Sequence, residues 1–241
     1  MTESQRADPR NAGPAPQREP LFNLAPVVTW LIVACVGVHI LRVYWLDSAQ
    51  DFLLLVRGAF IPARYSGGYL FEFDWLTSPI TYAFLHGGAA HLVINMIWLA
   101  AFGSPLANRL GAWPFLLFWI FTGLAAAGLH FALHPTDNAP LIGASGAISG
   151  MMGAAARFGF RIDRSQRRAA FAGPVLPIAE VLRSRGALTF LGVWFVVNLV
   201  TGLVGLAPGA GDQIAWEAHI GGFVAGFFCI SLFVRDRNGP A

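Results

Sequence analysis

A serine and a histidine lie in separate apolar segments of this 241-residue chain, each among small residues. Ser145 lies in LIGASGAISGMMGAA and His219 in AWEAHIGGFVAGFF. A serine hydroxyl becomes an effective nucleophile when a neighbouring base takes its proton, and an imidazole with an ordinary pKa near ~6.5 suits that role. The two segments therefore indicate nucleophilic serine chemistry, provided that the fold brings the two side chains together.

A second polar pair lies in TYAFLHGGAAHLVINMIWL. His91 and Asn95 are four residues apart, so they project from the same face of a helix. Acyl transfer also needs hydrogen-bond donors directed at the developing oxyanion. We expect Asn95, His91 and the backbone N–H of Ser145 to supply them. His86, five residues before His91, is expected to support the first loop or to bind water.

The sequence offers His219 no acidic partner. Glu217 is only two residues away and projects from another side of the helix, so we expect a Ser–His dyad rather than a triad. His130 and His134 are four residues apart, but no third ligand is evident, so we predict no metal site and no cofactor.

The composition argues against a water-soluble globule: 56% of the residues are hydrophobic and 12% charged, against roughly 45–50% and 25% in soluble proteins. A membrane helix needs about 20 apolar residues. Six such stretches occur, at about 25–46, 80–103, 113–133, 140–158, 187–206 and 215–234. We therefore predict an all-α membrane protein, a six-transmembrane-helix bundle over residues 23–234. Proline at the first turn of a helix predicts starts near Pro79 and Pro140 for the second and fourth helices.

Arginine placement predicts the orientation. With a cytoplasmic N-terminus, 13 of the 16 arginines lie on the cytoplasmic side, as the positive-inside rule favours. The polar segments 1–22 and 235–241 are then cytoplasmic tails, the first of them disordered. The arginines of the fourth loop are expected to face lipid, because no interleaved aromatic residues suggest nucleic-acid binding. The first outer connection, 47–79, is expected either along the membrane interface or packed on the bundle.

This topology places the four candidate residues at one depth. The second, fourth and sixth helices all run from outside to inside, so His91, Asn95, Ser145 and His219 lie near their outer ends. Glycines accompany the reactive pair at helical spacing: Gly146, Gly150 and Gly153 after the serine, and Gly222 and Gly226 after the histidine. Small residues let membrane helices approach closely. We expect the hydroxyl and the imidazole to lie within hydrogen-bond reach.

These motifs resemble those of the rhomboid intramembrane serine proteases. GASG resembles the family's GxSG motif, AHIGGFVAG its AHxxGxxxG motif and HGGAAHLVIN its second-helix signature, and the resemblance covers about 25–234. It implies Ser145 as nucleophile, His219 as base, and Asn95 and His91 at the oxyanion. It also implies helix packing by the glycines of the two catalytic motifs: Gly143, Gly146, Gly222 and Gly226.

The resemblance further implies metal-free and ATP-independent cleavage of transmembrane protein substrates near the outer face of a membrane, expected here to be a bacterial inner membrane. The fifth helix and the loop at 206–215 would act as lateral gate and cap. Membrane lipids are the other expected partners, nucleic acid is not one, and the sequence does not indicate the oligomeric state.

The chain departs from the family pattern at two places. Thr77 and Ser78 stand where many members carry a Trp–Arg pair, which bears on how the first loop is anchored. Ser149 stands where some members have a tyrosine that packs against the base, which bears on how the imidazole is held. Neither change removes a reacting group.

Two other functions compete with proteolysis. One is a catalytically inactive relative that binds membrane helices, although such a protein would normally have lost the serine or the histidine. The other is a transporter or channel, although the sequence has neither an intramembrane acidic relay nor an evident repeat.

Overall fold

The computed structural model of the chain describes residues 24–67, 72–165, 167–204 and 215–234. The predicted tails, 1–22 and 235–241, lie outside these residues, as does almost all of the predicted cap at 206–215. The described α-helices are α1 (Pro26–Tyr44), α2 (Ser48–Gly58), α3 (Asp74–Thr81), α4 (Ala89–Trp98), α5 (Ser104–Leu110), α6 (Ala112–Leu133), α7 (Ser145–Arg157), α8 (Ile178–Arg183), α9 (Arg185–Val204) and α10 (Trp216–Cys229).

Three described helical segments are long and apolar enough to cross a membrane: Pro26–Tyr44, Ala89–Leu110 and Ala112–Leu133. The second of these joins α4 to α5 through a π-helical stretch, Leu99–Gly103. Shorter apolar segments run over Arg185–Val200 and Trp216–Leu232. Large apolar side chains point outward, among them Trp30 and Trp113, which are 72% and 79% exposed. The described residues are thus mainly helical, with three segments that could cross a membrane, while the count of six spans stays a prediction.

The second and fourth apolar segments do not begin where the prolines predicted. Pro79 lies inside α3, and the long helix starts only at Ala89, after an extended break that includes Gly88. The fourth helix, α7, starts at Ser145 rather than near Pro140. Gly143 has φ +118°, a left-handed conformation that a right-handed helix cannot contain, so the chain becomes helical only after it.

The fourth loop also differs from an all-α prediction. Two short strands, β1 (Ile162–Asp163) and β2 (Ala170–Phe171), pair antiparallel there. Arg157, which was expected to face lipid with the rest of this loop, is buried instead. Its guanidinium donates to the carbonyls of Leu176 at 2.8 Å and Phe227 at 2.7 Å. Arg157 therefore joins the end of α7 to the last turns of α10.

The first outer connection is packed on the helices, by contacts that do not involve a Trp–Arg pair. The Arg42 guanidinium forms an ion pair with Asp51 of α2 at 2.6 Å and donates to the carbonyl of His86 at 2.8 Å. Thr81 Oγ1 donates to the carbonyl of Gly58 at 2.8 Å. These bonds join α1, α2 and the segment before α4. They anchor the connection without a Trp–Arg pair.

Tyr65 supplies another anchor at the position of Ser78. Pro79 has no N–H for the carbonyl of Trp75, four residues earlier in α3, and the Tyr65 hydroxyl donates to that carbonyl at 2.7 Å instead. Ser78, which is buried, lies 2.7 Å from the same hydroxyl and donates to it. Burial raises the pKa of Tyr65, so the phenol keeps the proton that this arrangement needs.

Helix α7 is the centre of the bundle, with every residue from Gly146 to Arg157 buried. Its glycines lie against two neighbours. A Cβ on Gly146 would come within 2.6 Å of Ala126 Cβ of α6, and one on Gly150 within 2.5 Å of Thr122 of α6. From the other side, a Cβ on Gly222 or Gly226 of α10 would overlap the carbonyl oxygens of those same two glycines. The backbones of α7 and α10 are therefore in direct contact.

Gly143, which was expected among the packing glycines, has another role. It lies in the loop before α7, and a Cβ there would stand 2.8 Å from His91 Nε2. Its missing side chain and its positive φ serve the loop beside the serine rather than the contact between helices.

Replacing Gly222 with alanine is expected to push α10 away from α7 and to lower the free energy of unfolding by about 1–3 kcal/mol, as overpacking does. Thermal unfolding in detergent micelles would measure the change. Gly128→Ala is the matched control, because a Cβ on this α6 glycine has no neighbour within 4 Å. Equal melting temperatures for the Gly222 variant and the parent would contradict the direct contact.

Candidate functional site

Ser145 and His219 meet where α7 and α10 begin. Ser145 is the first residue of α7, and His219 lies in the first turn of α10. Ser145 Oγ and His219 Nε2 are 2.7 Å apart, within hydrogen-bond distance. The close glycine contact just below them lets two short side chains span the gap between the helices. The structure thus brings the pair together as the sequence led us to expect.

Asn198 of α9 holds the other side of the imidazole. Its Oδ1 is 2.6 Å from His219 Nδ1, and its Nδ2 donates to the Trp194 carbonyl at 2.8 Å. Because the Nδ2 group bonds a carbonyl, Oδ1 must face the ring, and it can only accept. His219 Nδ1 therefore carries the proton. Nε2 is left with a lone pair directed at the Ser145 hydroxyl, which is the tautomer that a general base needs.

The sequence analysis missed Asn198. It is nine-tenths buried in the apolar run LTFLGVWFVVNLV, and polar residues in such runs need partners. The cost of an unpaired amide in such a run is the signal that points to Asn198. Trp194, one turn earlier, stacks on Phe223 of α10 with ring centroids 4.4 Å apart. Asn198 of α9 therefore holds the His219 imidazole through a hydrogen bond. This contact fixes the ring although Ser149 stands in place of a tyrosine.

His91 faces the serine across Gly143. Its Nδ1 accepts from the Gly87 N–H at 3.4 Å, so the proton lies on Nε2. A Cβ placed on Gly143 would stand 2.8 Å from that Nε2 and 3.6 Å from Ser145 Oγ. The space left by the glycine is therefore bordered by an N–H donor on one side and by the hydroxyl on the other. A carbonyl oxygen placed there would meet the donor.

Asn95 is not directed at the serine. It is buried, and its Nδ2 donates to the carbonyl of His91, one turn earlier on the same helix, at 2.9 Å. The amide has a second N–H, so this bond leaves one donor available. A role for Asn95 at an oxyanion stays a prediction that requires this donor to be turned toward Ser145.

His86 lies directly behind His91. The two rings meet edge to face with centroids 5.2 Å apart, and His86 is only 1% exposed. Both ring nitrogens of His86 are buried. Its link to α1 runs through the backbone, where its carbonyl accepts from Arg42. The position suits the expected supporting role, and the role itself stays a prediction.

A second cluster of polar side chains lies where the end of α6 meets the start of α10. His130 and His134 do have a third potential ligand, because Glu217 of α10 lies beside them. One ligand atom from each of the three residues lies within 4.8 Å of the others. Glu217 is 83 residues beyond His134 in the chain, so no local spacing could reveal this neighbour.

Comparison with known proteins places these elements in one family. The family model described as the Rhomboid domain matches residues 75–236, more than half of the chain. The chain is 29% identical over 221 residues to "Rhomboid protease GluP" of Bacillus subtilis (strain 168), covering 90% of this chain and 37% of that protein. It is 27% identical over 224 residues to "Rhomboid protease GlpG" of Serratia proteamaculans (strain 568), covering 88% and 64%. It spans less than two thirds of either relative.

Replacing Asn198 with leucine is expected to slow the reaction of Ser145 with a fluorophosphonate probe by about tenfold or more, because the imidazole loses its fixed tautomer. Asn198→Asp keeps an acceptor oxygen but loses the donor to the Trp194 carbonyl, so its rate should lie between those of the parent and the leucine variant. Labelling time courses on gels measure both, with melting temperatures as a check on folding. Equal rates for the leucine variant and the parent would show that Asn198 does not position His219.

Proposed function

The chain belongs to the rhomboid family, and on that premise we propose that it is an intramembrane serine endopeptidase that cleaves transmembrane protein substrates near the outer membrane face. The observation that carries the proposal is the 2.7 Å contact between Ser145 Oγ and His219 Nε2. Two relatives whose names describe them as rhomboid proteases support it. Ser145 and His219 form the reactive dyad, and Asn198 is a positioning residue that acts through His219.

The reaction begins when Ser145 Oγ attacks the carbonyl carbon of a peptide bond while His219 Nε2 takes the hydroxyl proton. The carbonyl oxygen gains the negative charge. His91 Nε2–H lies on the far side of the Gly143 space and donates to this oxyanion. Ser145 is the first residue of α7, where backbone N–H groups have no partner within the helix, so its own N–H is a second donor. Asn95 contributes once its free N–H turns toward the site.

Collapse of the intermediate breaks the bond between the carbonyl carbon and nitrogen. His219 returns its proton to the leaving amine, and an acyl ester on Ser145 remains. Water then attacks this ester with His219 as the base, and the serine hydroxyl is regenerated with release of the acid. The chemistry consumes one water, so the site must be open to water, which suits its position where α7 and α10 begin.

The position in the membrane follows from the same arrangement. We propose a multi-pass protein of a bacterial cell membrane with both termini in the cytoplasm, as the arginine distribution indicates. The dyad then lies toward the outside. Substrate helices would approach through the lipid, and contact with membrane lipids follows from the exposed apolar side chains.

Ser145→Ala and His219→Ala are each expected to reduce cleavage of a model substrate helix in proteoliposomes by about 10³-fold or more, because each removes a reacting group. Mass spectrometry of the products measures the rate and locates the cut. Ser149→Ala is the matched control, since this buried hydroxyl lies one turn along the same helix and belongs to neither member of the pair.

Two other outcomes would overturn this proposal. Undiminished cleavage by both variants would rule out the dyad. Binding of substrate helices by the parent, with neither cleavage nor fluorophosphonate labelling, would identify an inactive rhomboid-like protein that binds membrane helices.

A further inference from the structure

We propose that His130, His134 and Glu217 form a binding site for one divalent transition-metal ion, best suited to Zn²⁺, where the end of α6 meets the start of α10. This site is separate from the Ser145–His219 pair and has no part in the proposed proteolysis. Metal binding at this site can therefore be tested independently of that activity.

The backbone already gathers the three side chains. His130 lies in the last turn of α6 and His134 caps its end, so the two imidazoles project from one face with ring centroids 5.3 Å apart. Glu217, the second residue of α10, brings a carboxylate oxygen to 3.1 Å from His134 Nε2. All three potential ligand atoms lie within 4.8 Å of one another.

His130 gives the cluster an unsatisfied group. This side chain is 6% exposed, yet its Nδ1 has no hydrogen-bond partner in the part of the chain that the structure describes. Buried polar atoms almost always have a partner, and this imidazole, which lies beside a second imidazole and a carboxylate, has a nitrogen without one. The hydrogen bond between His134 and Glu217 does not involve His130.

The types of ligand atom in the cluster indicate which metal ion would bind there. Two imidazoles and one carboxylate match the His₂Glu sets that bind Zn²⁺ and leave a fourth position for water. Neighbouring donors around a tetrahedral zinc ion are about 3.3 Å apart. The His134–Glu217 distance of 3.1 Å is already close to this value, and the other potential ligand atoms lie within 4.8 Å, so a bound ion would draw them closer. Mg²⁺ and Ca²⁺ prefer oxygen ligands and are disfavoured here.

Access is open from one side. The His134 side chain is 44% exposed and that of Glu217 is 14% exposed, whereas His130 forms the buried floor. An ion can therefore enter from water and lose most of its hydration to the three ligands. Once bound, it would link α6 to the first turn of α10, two residues before His219. Such a link forms only in the folded protein, so binding must raise the melting temperature.

The test uses the full chain, purified in detergent without a histidine tag and stripped of metal by a chelator. Titration with Zn²⁺ against a chromophoric chelator measures affinity and stoichiometry, and thermal unfolding with and without Zn²⁺ gives an independent readout. We expect one ion per chain, a higher melting temperature with zinc, and no such rise with Mg²⁺ at the same concentration.

Variants assign the ligands. His134→Ala and Glu217→Gln are expected to weaken Zn²⁺ binding by about tenfold or more and to abolish the rise in melting temperature. Both residues are at the open side of the cluster, so these changes should leave the fold intact, as the metal-free melting temperature will show. Glu180→Gln, an exposed carboxylate on α8, is the matched control. Ser145→Ala should bind zinc like the parent, which separates this site from proteolysis.

Absence of micromolar zinc binding by the parent would overturn the proposal. So would unchanged affinity in both His134→Ala and Glu217→Gln, because the ion would then be held elsewhere.

Discussion

The contact between α7 and α10 can be as close as it is only because glycines occupy it. Gly222 and Gly226 bring the α10 backbone against the carbonyls of Gly146 and Gly150, where any side chain would overlap backbone oxygen. In a lipid environment the hydrophobic effect does not hold helices together, so close packing of this kind contributes much of the association. At this separation, a serine on one helix and a histidine on the other can form a hydrogen bond between the helix ends.

A hydrogen-bonded series across three helices extends this contact. It runs from Ser145 on α7 through His219 on α10 to Asn198 on α9, and ends at the Trp194 carbonyl. Each bond fixes the donor and acceptor assignment of the next, so one backbone carbonyl determines which imidazole nitrogen is free to accept a proton. Buried polar networks are stable when every member is satisfied, and here every member of the series has a partner.

Local sequence patterns predicted the parts of the molecule that depend on neighbours in the chain. The meeting of a serine with a histidine, the glycine faces and the three long apolar helical segments all follow from residue type and helical spacing. The predicted starts near Pro79 and Pro140 were wrong because the backbone there is set by an extended break before Ala89 and by the positive φ of Gly143. Proline permits a helix to start but does not require one.

Such local patterns could not predict contacts between segments that are distant in the chain. Asn198 is a single amide in an apolar run, and its partner is 21 residues away. Glu217 meets His134 across 83 residues. The sequence groups Arg157 with the other arginines of the fourth loop. At the end of α7, however, its guanidinium donates to the carbonyl of Phe227. In each case the side chain's role depends on which helix packs beside it, and spacing within one segment carries no information on that.

Because Asn198 lies on α9, the proton position on the His219 ring depends on a helix that carries neither Ser145 nor His219. Without the acceptor oxygen of Asn198, the His219 ring could hold its proton on either nitrogen. Part of the population would then present an N–H to the serine instead of a lone pair. The contact between α9 and α10 therefore decides which imidazole nitrogen faces the serine.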